Sequence, residues 1–288
     1  MKPLGRYSWL DQLLYLWCKG WAHKRMFRDP RLLSDAKAFQ QYNYQGGQYV
    51  LHDFLGYSQL EGLNVLDWGC GDGGKTLYYR CEARAASVCG IDLQEKKLEL
   101  ARQLAEEKGE TQWATFVKSD GTNLPFSDAS FDIIISNSAF EHVEQGLIAT
   151  TLRECVRVLK PGGLALLRFH PYRSRWGSHL MLYVPIPWAH HLFPEQILLN
   201  VWKELYFKAE AEGHDHEHDP EHVAQAQSIK AIYYLNGITV CQFEQIIRKS
   251  GFSILKQRVS NLKITKCLAW GPLKDYFCDH MIYILQPN

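Results

Sequence analysis

Between residues 62 and 170, short apolar runs alternate with stretches whose apolar residues recur every third or fourth position. The runs at 64–68 (NVLDW), 87–92 (SVCGID), 113–120 (WATFVKSD), 131–136 (FDIIIS) and 164–169 (LALLRF) have strand length. The unbroken Ile133-Ile134-Ile135 suits a strand covered on both faces, as parallel sheets require. Leu77 and Tyr78 open a helix after a glycine loop, and Leu98, Ala101 and Ala105 share one helical face ahead of Gly109, a C-cap signal. Leu152, Cys155, Val156 and Leu159 form a further stripe, which Pro161-Gly162-Gly163 should end. The alternation then stops. Residues 171–236 are rich in Trp, Tyr, His and Pro and have no strand period; a helical stretch at 239–251 and strand-like runs at 252–259 and 280–286 follow. This order predicts an α/β fold, a doubly wound and mostly parallel seven-stranded sheet. A helical cap is inserted after strand five, and a helical extension precedes the core. The expected units are an extension at 1–60, a core at 61–170 and 237–288, and a cap at 171–236.

Composition narrows the classes. A hydrophobic content of 46% supports a sizeable core, and a formal net charge of +1 argues against a surface given over to nucleic acid. No stretch approaches the ~18 consecutive apolar residues of a membrane span, and the start lacks the pattern of a signal peptide. The eight cysteines include no C-x-x-C pair, so reduced thiols in a cytoplasmic protein are expected.

The loop at 69–76, GCGDGGKT, fits three glycine fingerprints. As a P-loop it runs from Gly69 to Gly74, Lys75 and Thr76; as a dinucleotide loop it uses Gly69, Gly71 and Gly74. Preceded by Asp67, it also reads as an acid followed by G-x-G-x-G. Asp67 and Asp72 would face a polyphosphate with negative charge, and no later strand ends in an acidic pair able to hold Mg²⁺. Asp92, 18 residues after Gly74, suits a ribose diol, which adenine dinucleotides and S-adenosylmethionine both carry. The rest of the ligand differs: a dinucleotide lays pyrophosphate over the loop, whereas S-adenosylmethionine lays a cationic sulfonium end there. The two acids favour the cation.

The ordered motifs VLDWGCGDGG, VCGIDLQ, SDGTNLPFSDASFDIIISNSAFEHV and ECVRVLKPGG resemble the class I S-adenosylmethionine-dependent methyltransferases, in particular the type 11 small-molecule family. That resemblance implies S-adenosylmethionine as cofactor and methyl transfer to an oxygen or nitrogen of a small organic acceptor. It places Gly69 and Gly71 beneath the methionine part, with Asp67 nearby. Asp92 would bind both ribose hydroxyls, and Ile91 and Leu93 would flank adenine. Asp120 would accept from the adenine amino group beside Gly121, and Asn137 would approach the aminoacyl end. Two other readings stay open: a nicotinamide-dependent oxidoreductase, and a protein that binds the cofactor without turnover.

Two histidines are candidate bases: His142 in SAFEHV, and His170 in RFHPY at the end of strand five. The same Glu-His-Val occurs in ubiquinone-pathway O-methyltransferases, whose metal-binding members carry a carboxylate three residues before the Glu. Here that residue is Ser138, so no metal is expected. Glu141 and His142 could instead cap the following helix. Trp176, Leu180, Tyr183, Trp188 and Phe193 have the composition of an acceptor pocket wall, with His179, His190 and His191 among them. Tyr42 and Tyr44 could close over the donor. His214, His216, His218 and His222 in HDHEHDPEH read as a metal tract or as a solvated loop, with Asp219-Pro220 starting a helix. Residues 1–32 combine aromatics with seven Lys/Arg against two Asp, which suits either a helix over the cleft or weak contact with a membrane surface.

Overall fold

The computed structural model describes residues 9–26, 36–54, 60–211, 218–260 and 273–288. Helices α1 (Trp9–Met26) and α2 (Ala36–Asp53) precede a sheet of β1 (Asn64–Trp68), β2 (Ser87–Asp92), β3 (Ala114–Lys118), β4 (Phe131–Asn137), β5 (Leu159–Phe169), β6 (Phe252–Ser260) and β7 (His280–Pro287). The strand order is β3-β2-β1-β4-β5-β7-β6, and β7 runs antiparallel to both its neighbours. The order reverses between β1 and β4, so a crevice opens beyond their carboxyl ends, where open α/β sheets bind ligands.

Both faces of the sheet are covered, which is why its central strands are continuously apolar. Leu66, Ile134, Leu167 and Phe169 face α5 (Ile148–Val158) and a later helix at 240–249. Val65, Ile133, Ile135 and Leu166 face α3 (Gly74–Cys81) and α4 (Glu95–Glu107). The expected stripe on α4 is buried, Leu98, Ala101 and Ala105 being joined by Leu104, and Gly109 takes φ +70 just past the helix end. Pro161-Gly162-Gly163 behaves differently from expectation. Helix α5 already ends at Val158, and β5 starts at Leu159. Phe131 pairs with Leu159 but Ile133 with Leu164, so Pro-Gly-Gly is a bulge within the strand. Proline cannot donate to the ladder there, and Gly162 supplies φ +81.

The insertion after β5 is helical: α6 (Ala189–Leu192), α7 (Glu195–Ala211), α8 (Pro220–Gln225) and α9 (Ile229–Tyr233) precede α10 (Val240–Lys249) and α11 (Lys274–Phe277). Asp219 caps α8 by accepting from the Glu221 amide, with Pro220 next, as the sequence suggests. The cap has its own core around Trp202, Tyr206 and Leu198, and this core also takes Leu14 and Cys18 from α1. Leu180 and Tyr183 lie in that core rather than on a pocket wall. Trp188 is likewise used for docking, its Nε1 donating to the Tyr276 carbonyl at 2.8 Å and its ring meeting Phe277. Asn236 fastens the cap's return to the core: its Nδ2 donates to the carbonyls of Phe140 and Val143. Among the described residues no helix is long and apolar enough to cross a membrane.

Candidate active site

The glycine loop hangs from the end of β2. The amides of Gly69 and Cys70 both donate to the Ile91 carbonyl, and the Gly71 amide donates to Asp92 Oδ2 at 2.9 Å. Asp92 Oδ1 accepts from the Gln94 amide, so this carboxylate holds the loop and keeps lone pairs for further donors. A side chain at Gly69 would strike Ala139, whereas one at Gly71 (φ +56) would meet nothing within 4 Å. The backbone is therefore crowded on the protein side and open above Gly71. Asp67 lies beneath, buried, accepting from Thr76 Oγ1 at 2.6 Å, and burial raises its pKa to about 6. It braces the loop from below.

Helix α2 clamps the loop's far side. Gln40 donates to the Asp72 carbonyl, Asn43 Nδ2 donates to Asp72 Oδ2, and Lys75 Nζ donates to Asn43 Oδ1. The lysine that a P-loop would aim at phosphate is committed to this clamp. Tyr44 does not close over the donor site, since it is buried with its hydroxyl donating to Glu82; Tyr42 is exposed on the same helix.

Asp120 accepts from the amide and hydroxyl of Thr122 through Oδ1, which lowers its pKa and leaves Oδ2 for another partner. A Cβ on the adjacent Gly121 (φ +76) would collide with the Trp68 indole. Trp68 stacks on Phe140, and its buried Nε1 has no hydrogen-bond partner among the described residues. Ile91 belongs to the core, while Leu93 is exposed on the rim. Asn137 ends β4 with its Oδ1 accepting from Arg168.

Beyond β4 the chain makes a single 3₁₀ turn, Phe140–His142. Neither Glu141 nor His142 caps α5, whose N-cap is Leu147 without a side-chain bond. His142 Nδ1 donates to the Tyr233 carbonyl at 2.7 Å, leaving Nε2 as the nitrogen with the lone pair. Its ring lies 5.2 Å from His179, which lies 6.3 Å from His170, which in turn lies 5.3 Å from His280. Both histidines expected at the site thus belong to one cluster. Burial, with His280 and Arg168 nearby, holds the His170 pKa well below the usual range. Glu141 is buried, no side chain among the described residues hydrogen-bonds to its oxygens, and burial lifts its pKa to about 8 despite nearby backbone amides. The four-histidine grouping was invisible in the sequence, because His179 and His280 come from the insertion and the last strand.

His280 gives this cluster a pH signature. Its Nε2 accepts from Arg168, and burial with Arg168 and Arg258 lowers its pKa to about 3. A depressed folded pKa means that its contribution is complete above ~6.5 and is lost as pH falls toward 3. Between pH 6.5 and 4.5 the wild type should lose about 2–3 kcal/mol more stability than a His280→Gln variant, which keeps an acceptor for Arg168 without titrating. Urea unfolding at the two pH values checks this, and parallel losses in both proteins would remove His280 as the source.

A family model described as a methyltransferase domain matches residues 66–167, from β1 through β5. Residues 66–167 are the methyltransferase domain of the class I, S-adenosylmethionine-dependent family. The chain is 34% identical to a phthiotriol/phenolphthiotriol dimycocerosates methyltransferase of Mycobacterium ulcerans over 120 residues, 41% of each chain. It is 31% identical to a fatty-acid O-methyltransferase of Mycolicibacterium smegmatis, over 46% of this chain and 45% of that one. The chain thus spans under half the length of these relatives. A crystal structure from Pyrococcus horikoshii shares the fold with a TM-score of 0.55 at 17% identity, covering 92% of this chain and 99% of the other. The methyltransferase domain sets aside the dinucleotide reading of its loop. The site suits this family's donor: open space above Gly71, spare lone pairs on Asp92 and a spare oxygen on Asp120.

Proposed function

We propose that the protein transfers the methyl group of S-adenosylmethionine to an oxygen or nitrogen of a small organic acceptor, with oxygen favoured. The observation that supports this reading is His142 on the turn after β4, at the end of the sheet that carries the glycine loop, with its Nδ1 bonded to the Tyr233 carbonyl of the cap. S-adenosylmethionine supplies a methyl carbon already activated by sulfonium. The chain's own work is to hold and align two reactants. Asp92 and Asp120 grip the nucleoside, the loop beneath Gly71 seats the aminoacyl end, and His142 faces the acceptor and takes its proton. Histidine proton transfer suits a hydroxyl acceptor, which needs deprotonation, and transfer to oxygen is also what the fatty-acid O-methyltransferase of Mycolicibacterium smegmatis is named for. The test is a transfer assay with labelled donor against a small-molecule extract, with products identified by mass spectrometry. Donor binding without any labelled product would favour a non-catalytic binding protein, and tighter binding of NADH than of S-adenosylhomocysteine would sink the cofactor assignment.

The cap makes one partner more specific. Helix α1 packs on the cap core through Leu14 and Cys18, yet Trp9, Leu13, Leu16 and Trp17 on its other side are exposed. With the basic excess of residues 1–32, this face suits an anionic phospholipid surface. The full-length protein should sediment with phosphatidylserine vesicles, less so at high salt, and Trp17→Glu should weaken binding by about tenfold. Equal behaviour toward phosphatidylserine and neutral phosphatidylcholine would refute an electrostatic contact.

A further inference from the structure

The carboxylate of Glu141 and one ring nitrogen from each of His142 and His179 lie within 4.8 Å of one another. Glu141 and His142 come from the turn after β4, His179 from the cap 37 residues further on. We infer that these three side chains hold a divalent transition-metal ion of the zinc class, with one position left open for an acceptor oxygen. This rests on the methyl-transfer reading for its chemistry, though not for its binding, and it departs from the metal-free expectation drawn from Ser138. The donor missing at that position is supplied by a different part of the chain.

Four observations converge on the site. Among the described residues no side chain hydrogen-bonds to the buried Glu141 carboxyl group, which leaves it open to completion by a cation. The Tyr233 carbonyl accepts from His142 Nδ1, the outer bond that fixes the tautomer and ring of a metal-binding histidine. His179 enters from the cap and faces this pair, its ring 5.2 Å from that of His142. Two imidazoles and a carboxylate are the donor set of open, three-ligand zinc sites, and nitrogen donors disfavour Mg²⁺ and Ca²⁺. Metal–nitrogen bonds of about 2.1 Å put neighbouring ligands roughly 3.4 Å apart, a spacing that side chains already within 4.8 Å of one another reach by small adjustments.

Bound at the open position, an acceptor hydroxyl has its pKa lowered and releases its proton to solvent. Its oxygen lone pair forms the new O–CH₃ bond, and the electrons of the broken S–CH₃ bond return to sulfur, leaving neutral S-adenosylhomocysteine. With the ion bound, the lowered pKa of the coordinated hydroxyl replaces the proton-acceptor role of His142, whose lone pair is then a metal ligand.

The experiment titrates the chelator-treated full-length protein with Zn(II) by calorimetry and with Co(II) by visible absorption. The expected result is one tight equivalent, with Co(II) bands of a four- or five-coordinate N/O site. His179→Asn and Glu141→Gln should each weaken Zn(II) binding about 100-fold or more, beyond the loss typical of outer-sphere partners. A His214→Ala/His216→Ala variant should keep the equivalent, which separates the site from the histidine tract. Circular dichroism confirms folding, and His179→Gln provides a second, gentler test should His179→Asn unfold. An equivalent that persists in the His179 and Glu141 variants, or none in the wild type, would overturn the inference. Methyl transfer that survives chelation would also overturn it while leaving the transfer reading intact. Tight Zn(II) binding at this site without any product would instead count against the transfer reading and uphold the site.

Discussion

Replacing Asp92 with alanine should cost S-adenosylhomocysteine about 10²–10⁴-fold in affinity, because two charged hydrogen bonds to a ribose diol contribute roughly 1.5–3 kcal/mol each. The structure adds a reason for the upper end. The same carboxylate accepts from the Gly71 and Gln94 amides, so its removal also releases the loop that must seat the rest of the donor. Asp92→Asn keeps an acceptor for one of these amides and should fall between the wild type and Asp92→Ala. Asp92 lies outside both core clusters, so the variant should still fold, with its thermal unfolding temperature lowered by the loss of the bonds to the Gly71 and Gln94 amides. Calorimetry with S-adenosylhomocysteine separates the cases. Unchanged affinity in Asp92→Ala would mean that the nucleoside lies elsewhere.

The parts of the molecule that could be read in the sequence are those where one local rule decides the outcome. Ile133-Ile134-Ile135 had to be a strand buried on both faces, and Leu98, Ala101 and Ala105 had to share a helix face; both hold. Asp219-Pro220 specified a helix start by hydrogen bonding and fixed φ alone. Pro161-Gly162-Gly163 is ambiguous by the same logic, since a helix stop and a strand bulge use the same residues, and only the pairing with β4 selects the bulge. In the cap, aromatic composition could not tell Tyr183, inside a separate core, from a residue facing substrate. The candidate site divides in the same way. Asp92, Gly71 and Asp120 sit next to recognisable loops. His179 and His280 reach the site through long-range packing, and the burial of Glu141 is something no spacing encodes.

His142→Ala should slow methyl transfer by about 10²–10⁴-fold while leaving donor affinity close to that of the wild type, the loss expected for a positioned proton acceptor. The asymmetry follows from position, because His142 lies on the turn after β4 whereas the loop, Asp92 and Asp120 carry the donor contacts. The rival candidate should behave differently. His170 is packed against His280 with its pKa held well below the usual range, so it stays neutral near pH 7 and is poorly placed to gain a proton. His170→Ala should therefore lower stability more than it lowers turnover; the opposite ranking would reverse the two roles. Single-turnover kinetics with labelled donor measure the step directly, and chelation of the wild type then divides the remaining cases. Loss with chelator and recovery with Zn(II) would place Nε2 on an ion, whereas an enzyme indifferent to chelator but disabled by His142→Ala would be using that nitrogen as the base itself.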